Sequence, residues 1–200
     1  QQLLNKIGYT NLTVSGDTRF DRVFEIAEKV KSFPVIEKFA SGHFVIIIGS
    51  SWKEDEEILF DYINNDCNNI RFIIAPHEIH ESNILRILKN CAKKTVRYSN
   101  ANIENISDSE ILIIDNIGML SSIYQYGNLA YIGGGFTNGI HNILEVATFG
   151  LPVLFGPDYH KFQEAIDLIE LGGAFEVNSK TGASEKLDKL YIDKNLCNQA

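Results

Sequence analysis

The chain has 200 residues, of which 18 are basic and 26 acidic, for a formal net charge of −8, and 44% are apolar. This composition excludes intrinsic disorder and predicts one globular domain over residues 1–200, large enough to bury roughly 70% of its unfolded surface. The acidic balance argues against a nucleic-acid partner, which needs a clustered basic face. The longest apolar stretches, such as residues 44–48, fall short of the roughly 20 residues of a membrane-spanning helix.

The cysteines and the first residues indicate the setting of the chain. Cys67, Cys91 and Cys197 are odd in number and share no metal-ligand spacing, which favours a reduced, cytoplasmic compartment over a disulfide scaffold. Gln1 opens directly into ordinary sequence, with no signal pattern. We therefore expect the chain to be a fragment of a longer protein.

Short apolar runs alternate with longer amphipathic stretches along the chain. Residues 44–48 are continuous, β-branched and closed by Gly49, which is typical of a strand buried on both faces. In chain order, the same signals predict strands at residues 12–14, 44–48, 71–75, 111–114, 129–132 and 152–155. Apolar residues at helical spacing predict helices at residues 22–30, 56–63, 82–91, 120–126, 142–149 and 162–171.

This alternation predicts the fold class. Strands separated by helices of this length form βαβ units, and right-handed crossovers turn such units into an α/β fold with a doubly wound, mostly parallel, Rossmann-like sheet. The polar segment at residues 100–109 is expected to be a surface loop between two strands, and the polar residues 193–200 are expected to fray.

Ligands of such sheets bind beyond the carboxyl ends of the strands. Glycines and short polar side chains recur after the apolar runs, in the segments 15–17, 49–51, 75–78, 115–118, 133–135 and 156–158. Ser51 and Glu54 have the spacing of a capping box, so a helix is expected to begin there. Its first amides, with the hydroxyls of Ser50 and Ser51, suit a phosphate or carboxylate, although an ordinary helix cap explains the same pattern.

The triplet Gly133, Gly134 and Gly135 lets a ligand approach the backbone closely because it lacks Cβ atoms. Together with Gly139, it also allows a dinucleotide-binding interpretation in which Asp158 binds the ribose. That fingerprint normally marks the first strand–helix turn of its fold, whereas this one lies late in the chain.

His141 opens the helix after this loop, and Glu145 follows one turn later, so both are expected to face the same crevice. Glu145 is placed to accept hydrogen bonds from a ribose diol, or merely to complement the helix dipole. No histidine pair has zinc-motif spacing and no paired carboxylates suggest a divalent metal, while the acidic residues 54–57 are expected on a solvated face. No nucleophile elbow or P-loop lysine is present.

Taken in order, these loops resemble a known family. The segments 16–21, 49–51 and 75–78, followed by the block 115–157, are similar to the C-terminal half of the Kdo transferases. These glycosyltransferases attach 3-deoxy-D-manno-octulosonic acid (Kdo) to a lipid A precursor. The strongest stretches are 130–135, 141–145 and 151–157, and the likeness extends over about residues 14–171.

The resemblance implies a donor-binding role within a two-domain GT-B enzyme. By position, the residues expected to bind the nucleotide sugar CMP-Kdo are Pro76, His77, Ile117, Gly118, Met119, Asn142, Ile143, Leu144 and Glu145. Additional phosphate or sugar contacts are expected from Ser50, Ser51, Gly134, Gly135 and His141. Two positions depart from the family: His77 stands where many relatives carry arginine, and Ile143 replaces the usual proline.

The resemblance also implies what lies outside this chain. The general base is a glutamate of the N-terminal domain, which is expected to carry the membrane anchor and the lipid A precursor site. The chain alone is therefore expected to be inactive, to contain no catalytic residue and to use no cofactor or metal. The whole enzyme is expected at the cytoplasmic face of the bacterial inner membrane. A GT-B transferase that uses a UDP- or GDP-sugar and a noncatalytic dinucleotide-binding module remain as alternatives.

Overall fold

The computed structural model describes residues 2–11, 23, 25, 29–65, 69–137 and 139–200. Its strands are β1 (Phe44–Ser51), β2 (Ile70–Pro76), β3 (Thr95–Arg97), β4 (Ile111–Ile113), β5 (Leu129–Ile132), β6 (Val153–Phe155) and β7 (Ala174–Glu176). Its helices are α1 (Gln2–Lys6), α2 (Pro34–Ala40), α3 (Lys53–Asn64), α4 (Glu81–Asn90), α5 (Leu120–Ile123), α6 (Leu144–Ala147), α7 (Gln163–Glu170), α8 (Lys180–Ile192) and α9 (Lys194–Gln199).

Within the described residues, the strands form one seven-stranded sheet in the order β3-β4-β2-β1-β5-β6-β7. Every recorded pairing is parallel, with Ile47 of β1 opposite both Ile73 of β2 and Ala130 of β5. The chain builds β2, β3 and β4 on one side of β1 and then crosses back to place β5 on its other side. The doubly wound, Rossmann-like α/β prediction is confirmed.

The central strands are buried on both faces, as their continuous apolar runs predict. Val45 and Ile47 of β1 pack into one hydrophobic cluster with α2, whereas Ile46 and Ile48 pack into a second cluster with α3 and α8. Successive side chains of a strand point to opposite faces, so only an unbroken apolar run fills both clusters.

Most predicted elements are confirmed, with shifted boundaries. The predicted helix at residues 120–126 is divided into α5 and a 3₁₀ turn, Tyr124–Tyr126, and that at residues 142–149 is reduced to α6. The predicted surface loop at residues 100–109 contains a second 3₁₀ turn, in which Ile106 is fully buried. The strand predicted at residues 12–14, nearly all of the helix predicted at residues 22–30, the glycine segment at residues 16–21 and Cys67 lie outside the described residues.

The prediction that residues 193–200 fray is wrong. They form α9, whose first turn is capped by Asp193: its Oδ1 accepts a hydrogen bond from the Leu196 amide at 3.0 Å. Cys197 on this helix is only 8% exposed. The polar residues cap this short helix and face solvent, while Cys197 packs against the rest of the domain.

Candidate functional site

Three of the loops singled out from the sequence, at residues 49–51, 75–78 and 133–135, meet at the carboxyl edge of β2, β1 and β5, which are neighbours in the sheet. The order of strand addition reverses between β1 and β5, and the carboxyl ends of the strands at such a switch point diverge to leave a crevice. Gly133 follows β5 directly, and its amide donates to the Gly49 carbonyl of β1 at 2.9 Å. On the other side of β1, the His77 amide donates to the Ser51 carbonyl, also at 2.9 Å.

Asp55 is the buried centre of this edge. Its Oδ2 accepts hydrogen bonds from the amides of Trp52 and Gly134, both at 2.9 Å, and its Oδ1 accepts one from the Tyr131 hydroxyl at 2.8 Å. The side chain is fully buried, and burial raises its pKa although all three hydrogen bonds oppose the shift. Asp55 therefore connects the start of α3, strand β5 and the glycine loop.

The prediction that the acidic residues 54–57 lie on a solvated face is therefore wrong for two of the four. Glu54 and Glu57 are exposed, but Asp55 and Glu56 are buried. Glu56 accepts a hydrogen bond from the Ser51 hydroxyl at 2.9 Å and pairs with Arg86 at 2.5 Å. Burial raises the pKa of Glu56, and its partners Arg86 and Ser51 counteract that shift.

The predicted Ser51–Glu54 capping box is also wrong. Strand β1 continues through Ser51, so α3 begins later, with Trp52 as its N-cap residue. Asp55, and not Glu54, reaches back to the cap amide. Ser50 takes a left-handed conformation with φ of 52°. The predicted ligand contacts of Ser50 and Ser51 remain predictions, with the Ser51 hydroxyl already donating to Glu56.

The glycine triplet is packed against the chain's own backbone. A Cβ atom on Gly133 would lie 2.3 Å from the Ser50 carbonyl oxygen, and one on Gly135 would lie 2.5 Å from the Gly156 nitrogen. On Gly134 it would lie 2.4 Å from the Gly139 carbonyl oxygen. The expectation that the missing Cβ atoms leave room for a ligand therefore needs correction, because protein backbone fills this space. The ligand contacts of Gly134 and Gly135 stay predictions.

Three aromatic rings come together above this edge, with His77 between Trp52 and His141, and sequence reasoning missed Trp52. The indole ring stacks on the His77 imidazole with 4.3 Å between centroids and 24° between planes, and the His77 and His141 rings are 4.4 Å apart. The indole Nε1–H donates to His141 Nε2 at 3.0 Å. Burial, and then the neighbouring His77, lower the pKa of His141. The position of Trp52 directly after a strand was the sequence signal for this residue.

The segment 142–145 divides between surface and core. Asn142 is exposed, and its Nδ2 donates to Glu145 Oε1 at 3.0 Å, whereas Ile143 and Leu144 are buried in the hydrophobic core. Glu145 is half-buried at the start of α6. It adds to the effect of burial in raising the pKa of Tyr124, whose ring lies against Gly49. The polar groups that this segment offers to a ligand are therefore those of Asn142 and Glu145.

The remaining predicted residues follow β2 and β4. Pro76 is the buried last residue of β2. After β4, Ile117 is 86% exposed, Gly118 has φ of 84° and Met119 is buried as the N-cap residue of α5. Gly118 thus provides the left-handed turn that separates an exposed apolar side chain from a buried one.

A cavity of about 700 Å³ lies at the opposite, amino edge of the sheet. Its lining residues include His43, Asn128, Tyr191 and Lys194, and none of the predicted site residues. We place the candidate site at the carboxyl edge because the switch point and the predicted polar groups occur there together. Across the described residues, no group of three or more histidine, cysteine or carboxylate side chains is arranged to hold a metal ion.

Comparison with solved structures defines the class of fold. The crystal structure of the C-terminal CMP-Kdo binding domain of WaaA from Acinetobacter baumannii superposes with a TM-score of 0.66 at 20% identity, covering 90% of this chain and 96% of that one. A UDP-forming α,α-trehalose-phosphate synthase from Burkholderia xenovorans gives a TM-score of 0.58 at 12% identity, covering 90% of this chain and 44% of that one. The fold is that of a Rossmann-like C-terminal domain of a GT-B glycosyltransferase.

Sequence comparison identifies the relatives. The 3-deoxy-D-manno-octulosonic acid transferase of Aquifex aeolicus is 29% identical over 86% of this chain and 53% of its own length. The transferase of the same name from Rickettsia bellii is 30% identical over 97% of this chain and 47% of its own length. No family model matches the chain. The chain is a homologue of the Kdo transferases, which confirms the resemblance seen in its loops, and it spans about half the length of these relatives.

Proposed function

We propose that this chain is the CMP-Kdo-binding domain of a Kdo transferase. The observation that carries the proposal is the sequence match to a Kdo transferase over 97% of the chain. The fold supports it, because the solved CMP-Kdo binding domain has the same architecture along nearly its whole length. The site supports it as well, because its polar groups meet at the switch point where doubly wound sheets bind nucleotides.

Within this proposal the nucleotide lies across the carboxyl ends of β2, β1 and β5. Glu145 accepts hydrogen bonds from the ribose hydroxyls, and Asn142 holds its carboxylate in place. The exposed Ile117 offers an apolar contact to the cytosine base. His77 and His141 contact the phosphate, and His77 does so at the position where many relatives carry arginine.

The proposed reaction is an inverting displacement at the anomeric carbon of Kdo. A hydroxyl oxygen of the lipid A precursor bonds to that carbon, while the bond to the phosphate oxygen breaks and CMP leaves with the electron pair. The hydroxyl proton passes to a base on the opposite face, as inversion requires. This chain contributes donor positioning and hydrogen bonds to the leaving phosphate. The base is proposed to be a glutamate of the other half of the enzyme, so the chain alone is inactive.

The acceptor and the location of the enzyme belong to the same proposal. We place the lipid A precursor and the membrane anchor with the other half, at the cytoplasmic face of the bacterial inner membrane. In the described part of this chain, no helix combines the length and the apolar character needed to span a bilayer.

A second candidate is the donor domain of a GT-B transferase that uses a UDP- or GDP-sugar. The structural likeness to a UDP-forming synthase favours it. A noncatalytic dinucleotide-binding module has less support, because the chain's own backbone fills the space beside the glycine triplet.

Nucleotide selectivity separates these candidates. Calorimetric titration of the chain with CMP, UMP and GMP should give the tightest binding for CMP. Preference for UMP or GMP would overturn the Kdo-transferase assignment in favour of the second candidate. Titration with NADH under the same conditions should give no binding.

A further inference from the structure

Trp52 is the only tryptophan of the chain, and its indole links two predicted ligand contacts. The ring stacks on the exposed His77 ring, and the indole N–H donates to His141. Trp52 is half-buried and absent from both hydrophobic clusters. Its backbone is held in place, because its amide donates to the buried Asp55. The indole is held at the edge of the site by its stack on His77 and its hydrogen bond to His141.

The hydrogen bond determines which nitrogen of His141 carries the proton. An indole N–H only donates, so His141 Nε2 must be the unprotonated acceptor. A neutral imidazole has one N–H, which is then on Nδ1. The Trp52 indole thus stabilises one of the two neutral tautomers of His141.

We propose that Trp52 is a positioning residue of the nucleotide site, which selects the His141 tautomer whose Nδ1–H donates to the phosphate of the bound nucleotide. This inference rests on the proposed function and adds to it a residue outside the predicted contacts. Trp52 also covers one face of the His77 ring, so a single side chain orients both imidazoles.

Two variants of the whole chain test the role of Trp52. Trp52→Phe keeps an aromatic ring beside His77 but removes the indole N–H. His80→Gln is the matched control. His80 is an exposed histidine in the same loop after β2, and it is not one of the three stacked rings Trp52, His77 and His141. The readouts are the ¹⁵N chemical shifts of His141, which report the tautomer, and calorimetric titration with CMP.

In the wild type and in His80→Gln, the ¹⁵N shifts should show Nε2 unprotonated and Nδ1 protonated. Trp52→Phe should shift this population toward the other tautomer and weaken CMP binding roughly two- to tenfold, the range for one hydrogen bond. CMP should also change the fluorescence of Trp52 in the wild type, with the dissociation constant that calorimetry gives.

The outcomes separate this inference from the proposed function. If the wild type binds CMP but Trp52→Phe keeps both its affinity and its His141 tautomer, the inference is overturned and the proposed function stands. A wild-type fluorescence that stays constant at saturating CMP also overturns the inference. If calorimetry shows no CMP binding to the wild type, the proposed function itself is wrong.

Discussion

Removing the carboxylate of Asp55 is expected to be the most damaging single change at the candidate site. Asp55→Ala leaves three donors without a partner: the Trp52 and Gly134 amides and the Tyr131 hydroxyl. Each unsatisfied buried donor costs about 1–3 kcal/mol, and neighbouring losses are not additive. We expect a loss of about 3–5 kcal/mol in the free energy of unfolding, a large part of the 5–15 kcal/mol typical of a domain.

The isosteric change tests whether hydrogen-bond geometry or charge makes Asp55 important. In Asp55→Asn the amide oxygen can accept from both backbone amides, and the Tyr131 hydroxyl can turn to accept from the new NH₂ group. We therefore expect a loss below about 1.5 kcal/mol. Glu57→Gln is the control, because Glu57 is exposed and pairs with the exposed Lys53 at 3.5 Å, a contact worth about 0–1 kcal/mol.

Urea unfolding of the three variants at pH 7 measures these differences. Burial raises the pKa of folded Asp55 above its ordinary 3.8, so the folded state binds more protons than the unfolded state just above that pH. The contribution of Asp55 to stability therefore declines as pH rises through its folded pKa. Asp55→Asn should lack this pH dependence of the free energy of unfolding. If Asp55→Asn is as damaging as Asp55→Ala, our reasoning from hydrogen-bond geometry is refuted.

Three further predictions concern the glycine loop, the ribose contact and the edge of the sheet. Gly135→Ala places a Cβ atom against the Gly156 backbone and should cost about 1–3 kcal/mol, seen as a Tm lowered by roughly 3–10 °C; an unchanged Tm contradicts the packing argument. Glu145→Ala should weaken CMP binding in calorimetry without changing the circular dichroism spectrum. The control Glu185→Gln, at an exposed position, should leave CMP binding unchanged. If Glu145→Ala also leaves the affinity unchanged, Glu145 does not belong to the site. Burial raises the pKa of Asp115, but hydrogen bonds from Ser99 and Arg97 outweigh it and lower the pKa overall. The stabilising contribution of Asp115 is therefore lost as pH falls through its folded pKa. In Asp115→Asn, the free energy of unfolding should depend less on pH below about pH 4.

The sheet could be predicted because its central strands carry a signal that few other structures produce. Residues 44–48 and 71–75 are almost entirely apolar and end at turn residues, as strands buried on both faces must be. The three-residue strands β3 and β7 were missed because they are short edge strands that are mostly half-buried. Helices α1, α2 and α8, of five, seven and thirteen residues, were missed as well.

The carboxyl edge could be predicted as a place, but not in its internal bonding. Parallel strands bring their following loops to one edge, whatever the side chains are. The burial of Asp55, in contrast, depends on Gly134, which lies 79 positions later in the chain. A carboxylate in an acidic run is normally solvated, so only the tertiary contact shows that this one is buried. The same holds for Trp52, whose partner His141 lies 89 positions away.

The charges near the site indicate how it would meet the anionic nucleotide of the proposed function. The Arg86 and Arg97 guanidinium groups pair with Glu56 and Asp115, at 2.5 and 2.8 Å. The pKa of His141 is lowered from 6.5, so this ring is neutral at pH 7 and contributes a hydrogen bond in place of a charge. Acidification protonates Nε2, which can then no longer accept from an indole N–H. The stabilising contribution of the neutral ring is therefore complete above pH 6.5 and declines as pH falls, and the tautomer proposed to donate to the phosphate is lost with it.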